Sequence, residues 1–101
     1  MISPAEHLKS KYFKSTWWMV NYWEKRNRWD EAAQYCENLL AVDECREDIY
    51  RKLMFLHKNM ENKSEALLVY KRCRKSLSSV LGIEPSLETQ ALYKALQSDK
   101  S

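Results

Sequence analysis

The sequence is poor in turn-makers. One glycine and two prolines serve 101 residues, far below ordinary usage. That scarcity excludes phosphate-cradling glycine loops and dinucleotide fingerprints, and leaves little material for tight β-hairpins. Long apolar runs are missing too. The longest, 66–70, has five residues, and 17–20 and 39–42 have four each, against about 18 for a membrane span. The opening MISPAEHLKS has no apolar h-region of a signal peptide. Three cysteines, Cys36, Cys45 and Cys73, form no C-x-x-C pair, and only His7 and His57 accompany them. Zinc spacing therefore fails, and the expectation is reduced thiols used as small apolar packers in a cytoplasmic protein. No motif assembles a nucleophile–base pair, so no catalytic, cofactor-binding or metal-binding residue is assigned. The net charge of +3 is modest for a domain that reads nucleic acid.

What is present is helical pattern. Ser3-Pro4-Ala5-Glu6 reads as a capped helix start, and no breaker follows until Asn27. Leu8, Tyr12, Met19 and Trp23 share one face of that helix, with Phe13, Trp17 and Val20 beside them, while Trp18 and Tyr22 point elsewhere. The stretch WWMVNYW at 17–23 is apolar most of the way round, as expected of a helix with contacts on several sides. Asp30 is the expected cap of a second helix to about Val42, with Ala32, Cys36, Leu39 and Leu40 inward. A third is expected from about Arg46 to Met60, carrying Ile49, Tyr50, Leu53, Met54 and His57 on one face. Asn62 or Ser64 opens a fourth, with Ala66, Leu67, Tyr70, Cys73 and Leu77, ending at Gly82 with an apolar contact from Ile83. Ser86 caps a fifth holding Leu92, Tyr93 and Leu96, and residues 98–101 are expected to fray.

Glu31-Ala32 and Glu65-Ala66 are 34 residues apart. The same offset pairs Cys36 with Tyr70, Thr16 with Tyr50, Met19 with Leu53 and Trp23 with His57. Thirty-four residues of helix–turn–helix is the tetratricopeptide period. The fold class is therefore all-α: tetratricopeptide-like hairpins, about five helices in a right-handed superhelical array, forming one domain over 1–101. Neither hairpin turn has a glycine; Asn27, and Asn59 or Asn62, are the residues expected to supply left-handed backbone.

The chain also resembles a narrower group. Arg46-Glu47-Asp48-Ile49-Tyr50-Arg51-Lys52-Leu53-Met54, then Tyr70, then Leu81-Gly82-Ile83-Glu84-Pro85-Ser86, Glu88-Thr89 and Leu92-Tyr93 are similar to the R-E-D-x-x-R-x-L-M helix and Y…L-G-I-E-P-S-x-E-T…L-Y ending of the bacterial transcriptional activator domain. The resemblance covers about residues 6–97. It implies a non-catalytic module for protein contact, self-association or signal reception, excised from a larger regulator. Its partners would be a second copy, an adjacent winged helix-turn-helix domain or the transcription machinery. DNA would be reached only through a domain missing from this chain.

Propagating the repeat register places Lys14, Trp17, Asn21 and Glu24 on the concave side of the first hairpin, and Asp48, Arg51, Phe55 and Lys58 on that of the second. These eight are the candidate protein-interaction groove. Trp18 and Tyr22 are the candidate interdomain or dimer contact. A stand-alone adaptor that holds a peptide in the same groove is the alternative. The basic run at 71–75 fans around its helix and reads as a solvated face, and His57 reads as a packing residue.

Overall fold

The computed structural model describes residues 4–98. Helices α1 (Pro4–Lys25), α2 (Trp29–Val42), α3 (Glu47–Asn59), α4 (Lys63–Ser76) and α5 (Leu87–Ser98) follow in order, with a π-helical turn, Leu77–Leu81, prolonging α4. No strand occurs among the described residues. The expected Ser3 cap lies outside them, and of the tail expected to fray only Ser98 is described, as the last residue of α5.

Both hairpins reverse in the same way. Asn27 and Glu61, 34 positions apart, are left-handed at φ 57° each. In the first turn Arg28 N–H donates to Trp23 C=O at 3.0 Å and Asn27 N–H to Glu24 C=O at 3.0 Å. In the second, Asn62 N–H donates to His57 C=O at 2.9 Å and Glu61 N–H to Lys58 C=O at 3.0 Å. This pair of bonds is the Schellman arrangement, which satisfies the last carbonyls of the outgoing helix. The expectation for Asn27 holds. The second left-handed residue is Glu61 rather than Asn59 or Asn62, because bond geometry fixes the position whatever side chain occupies it.

Caps show the same contrast. Asn62 accepts from Glu65 N–H and caps α4. Asp30 is not the cap of α2: Arg28 occupies that position without a side-chain cap bond. Asp30 and Glu31 sit in the first turn, where carboxylates favour the positive end of the helix dipole. At the far end of α4, Gly82 adopts φ 65° and donates to Ser78 C=O at 3.1 Å, but Ile83 stays 48% exposed.

Thr16, Val20, Ala32, Cys36, Leu39, Tyr50, Leu53, Met54, Ala66, Val69, Cys73 and Leu77 form the buried seam. Ala32 and Ala66 are both fully buried, as needed where a second helix closes on its first. Tyr70 and Tyr93 stack at 3.9 Å between centroids, fastening α5 to α4. Packing departs from expectation in α1. Leu8 and Tyr12, expected inward, are 66% and 41% exposed, because they lie on the Met19 face of α1, turned away from α2 and covered by no described element. Cys36 and Cys73 are fully buried and free, and burial pushes both thiols up to about 12.

A non-glycine residue in the left-handed region is strained by ~1–2 kcal/mol, and glycine returns part of that relief as unfolded-state entropy. Glu61→Gly is therefore expected to stabilise the fold by about 0.5–1 kcal/mol, read as a higher denaturation midpoint at unchanged m-value. Asn27→Gly should gain less, since asparagine tolerates this backbone better.

Candidate interaction surfaces

The two quoted motifs meet in space, although some forty positions of sequence separate them. Thr89, fully buried, receives a bond from Arg51 Nη1 at 2.8 Å and donates to Glu47 Oε1 at 2.8 Å. Glu47 Oε1 also accepts from Ser86 N–H at 2.9 Å, holding the first turn of α5 against α3. Arg51 further pairs with Glu88 at 3.7 Å. Burial alone would raise the Glu47 carboxyl. The Ser86 N–H, the Thr89 hydroxyl and nearby Arg51 outweigh it and hold the group below the usual carboxylate range. The R-E-D-x-x-R and E-P-S-x-E-T residues thus form a clamp that docks α5.

The candidate groove lies between α1 and α3, and its polar groups largely satisfy one another. Asp48 accepts two bonds from Arg46, at 3.1 and 2.9 Å. Burial opposes the Asp48 charge, but Arg46 and the Ile49 N–H keep its carboxyl below the ordinary value. Arg51 is held in the clamp, and Asn21 Nδ2 donates to the Trp17 carbonyl at 2.9 Å. Glu24 pairs with Lys52, a residue outside the eight sequence candidates. The Lys52 ammonium also lies 5.6 Å from the Trp17 ring and 5.9 Å from that of Phe55. Phe55 in turn meets Trp29 edge-on at 6.5 Å. Lys14 and Lys58 are exposed. A cavity of about 440 Å³ opens at the groove's head, lined by Phe13, Lys14, Trp17, Arg46 and Asp48 among others.

Trp18 and Tyr22 stand on another face. Trp18 is 61% exposed and stacks on Tyr22 with centroids 5.2 Å apart. The Arg26 guanidinium covers the Tyr22 ring at 3.6 Å. The basic run divides: Arg72 makes a two-point pair with Glu37 at 2.7 and 2.9 Å, Arg74 reaches Glu84 at 3.5 Å, and Cys73 turns into the core. His57 packs at its repeat position with Nδ1 buried and unbonded, and burial lowers its imidazole below the ordinary value. Among the described residues, no group of three or more His, Cys, Asp or Glu is placed to hold a metal. No helix there is long and apolar enough to cross a membrane.

Thr89→Val keeps the clamp's shape but leaves Arg51 and Glu47 without their shared hydroxyl. It is expected to cost about 1–3 kcal/mol, with Thr89→Ser nearly neutral; urea titration of the two variants decides. The acid response has a definite sign. His57 and Glu47 are both depressed in the folded chain, so each contributes stability above its unfolded pKa that is lost as pH falls through its folded one. Stability should decline first below about pH 6.5, the imidazole range, and again through the carboxylate range. Glu47→Gln should flatten the second limb, read as denaturation midpoint against pH.

Comparison with known proteins agrees with the motifs. No curated protein and no solved structure matches the chain. The family model of the bacterial transcriptional activator domain matches residues 2–97, the stretch that holds both hairpins, the clamp and α5, and on that match the chain belongs to the bacterial transcriptional activator domain family.

Proposed function

We propose that the chain is the protein-contact module of a cytoplasmic transcriptional regulator, acting by association rather than catalysis, with DNA reached through a separate domain. The observation that carries this reading is the exposed Trp18–Tyr22 stack on α1. A solvent-facing tryptophan braced by a second ring is costly to leave in water, and large aromatics dominate binding hot spots. The groove argues less strongly, since Asp48, Arg51 and Glu24 already have partners within the fold. The adaptor reading, a peptide held in the groove, is favoured by the 440 Å³ cavity beside Trp17 and Lys14.

Trp18→Ala/Tyr22→Ala is expected to weaken self-association or partner binding of the intact regulator by roughly 30-fold or more. Its cost in stability should stay within about 1–3 kcal/mol, the worth of the two lost ring pairs, Trp18–Tyr22 and Tyr22–Trp23. Analytical ultracentrifugation and pull-down of the regulator's own assemblies read the effect. Unchanged association in that variant, with loss in Trp17→Ala, would transfer the function to the groove. No change in either would remove the protein-contact reading.

A further inference from the structure

The repeat provides an internal standard for the outer face of α1. Thr16 and Tyr50 are both buried, as are Val20 and Met54, Ala32 and Ala66, Cys36 and Tyr70, and Leu39 and Cys73; these pairs build each hairpin's own seam. Four other pairs disagree in one direction. Ile49, Leu53 and Leu56 are fully buried or nearly so and Lys52 is largely covered. Their counterparts 34 positions earlier are Ser15, Met19, Tyr22 and Trp18, of which Ser15 and Trp18 are exposed and Met19 and Tyr22 half-buried. The cause is plain. The α3 residues face the preceding hairpin, chiefly α2, whereas no described element covers the corresponding face of α1. That face is a stacking face of the same kind, and it carries aromatic area where α3 carries aliphatic.

Charge names the kind of helix it fits. The neighbour that covers α3 is α2, WDEAAQYCENLLAV, which bears Asp30, Glu31 and Glu37 and neither lysine nor arginine. Among the described residues two ion pairs join the hairpins, Lys52 with Glu24 and Arg72 with Glu37. Each runs from a cation on the later hairpin to a carboxylate on the earlier one. On α1 the positions from His7 to Trp23 contain no Asp or Glu. Lys11 and Lys25 are exposed, and with Arg26 they flank the aromatic stripe by helical spacing. Two such faces brought together would oppose cation to cation, which disfavours a second copy as the occupant.

We propose that the outer face of α1 docks an acidic amphipathic helix. Such a helix lies across Trp18, Met19 and Tyr22 as α2 lies across α3, with its carboxylates meeting Lys11, Lys25 and Arg26. The inference rests on the protein-contact reading above and adds the chemistry of the partner. The apolar seam supplies affinity, and the basic flanks select against neutral or basic helices.

The probe is a pair of synthetic, side-chain-cross-linked helices of 14 residues or so, sharing one Leu/Ala seam and differing only in flanks of Glu or of Lys. Titrated into the isotope-labelled chain, the Glu helix should shift backbone amides within 11–26 and bind roughly tenfold more tightly than the Lys helix at low salt. Trp18→Ala should lose that binding, and Lys11→Glu/Lys25→Glu, both at exposed positions, should invert the preference. Equal affinity for the two helices, a preference that survives charge reversal, shifts centred on the groove, or a chain that dimerises through α1 and excludes both probes would each overturn the proposal. The two readings fail separately. If Trp18→Ala/Tyr22→Ala disrupts the intact regulator's assemblies while the helices bind alike, protein contact stands and the acidic partner falls.

Discussion

Two helical hairpins can share one continuous core only if both reverse with the same geometry, and here they do so without glycine. The paired bonds at Trp23–Arg28 and His57–Asn62 close the last turns of α1 and α3. They force residues 27 and 61 into the left-handed region at the same φ. Everything downstream inherits that 34-residue phase. It sets Ala32 and Ala66 opposite their first helices, brings Lys52 to Glu24, and swings α4 so that Arg72 reaches Glu37. A slip of one residue in either turn would rotate α2 or α4 by about 100° and expose its seam. The strain held at Glu61 is small beside the core it aligns.

The α5 clamp shows why a family signature can be structural rather than ligand-binding. Glu47 and Arg51 lie on the face of α3 that the repeat leaves open, and an uncovered pair of charges there would be hydrated and mobile. Ser86 and Thr89 meet them with a backbone N–H and a hydroxyl, so the pair is sequestered together with the polar start of α5. One buried threonine hydroxyl thus bonds both charges, and the hallmark residues serve to dock α5 on the second hairpin. The groove beside them is similarly self-satisfied, whereas the aromatic face of α1 keeps Trp18 exposed with no described element of the fold against it.

Sequence periodicity was enough to place the five helices, the 34-residue repeat and most of the seam, since each rests on spacing within one element. It did less well where the outcome depends on another element. Leu8 and Tyr12 carry the spacing of core residues, but no described element covers the face of α1 that they share with Met19. Asp30 is a good cap residue that was passed over, because the Schellman bond fixes Arg28 at the cap position. Glu61 has no preference for left-handed backbone and is placed there by its neighbours' bonds. Among the site residues, the separate face of Trp18 and Tyr22 follows from helical angle alone. Lys52 does not: its counterpart Trp18 faces solvent, so only the presence of a preceding hairpin reveals it as the cation between Trp17 and Phe55. The meeting of Glu47 with Thr89 is likewise invisible along the chain, as it joins motifs on different helices.

The two buried cysteines give the molecule a built-in readout. Cys36 belongs to the first hairpin and Cys73 to the second, each at the centre of its own seam with a thiol that burial keeps protonated. Neither reacts appreciably while its hairpin is closed, because only an exposed thiolate is nucleophilic. Under an excess of alkylating reagent, the labelling rate at each position follows the opening equilibrium of that hairpin alone. The chain thereby reports the cooperativity between its two repeats without an introduced label: equal rates mean the hairpins open as one unit, and unequal rates measure how far one can loosen while the other holds.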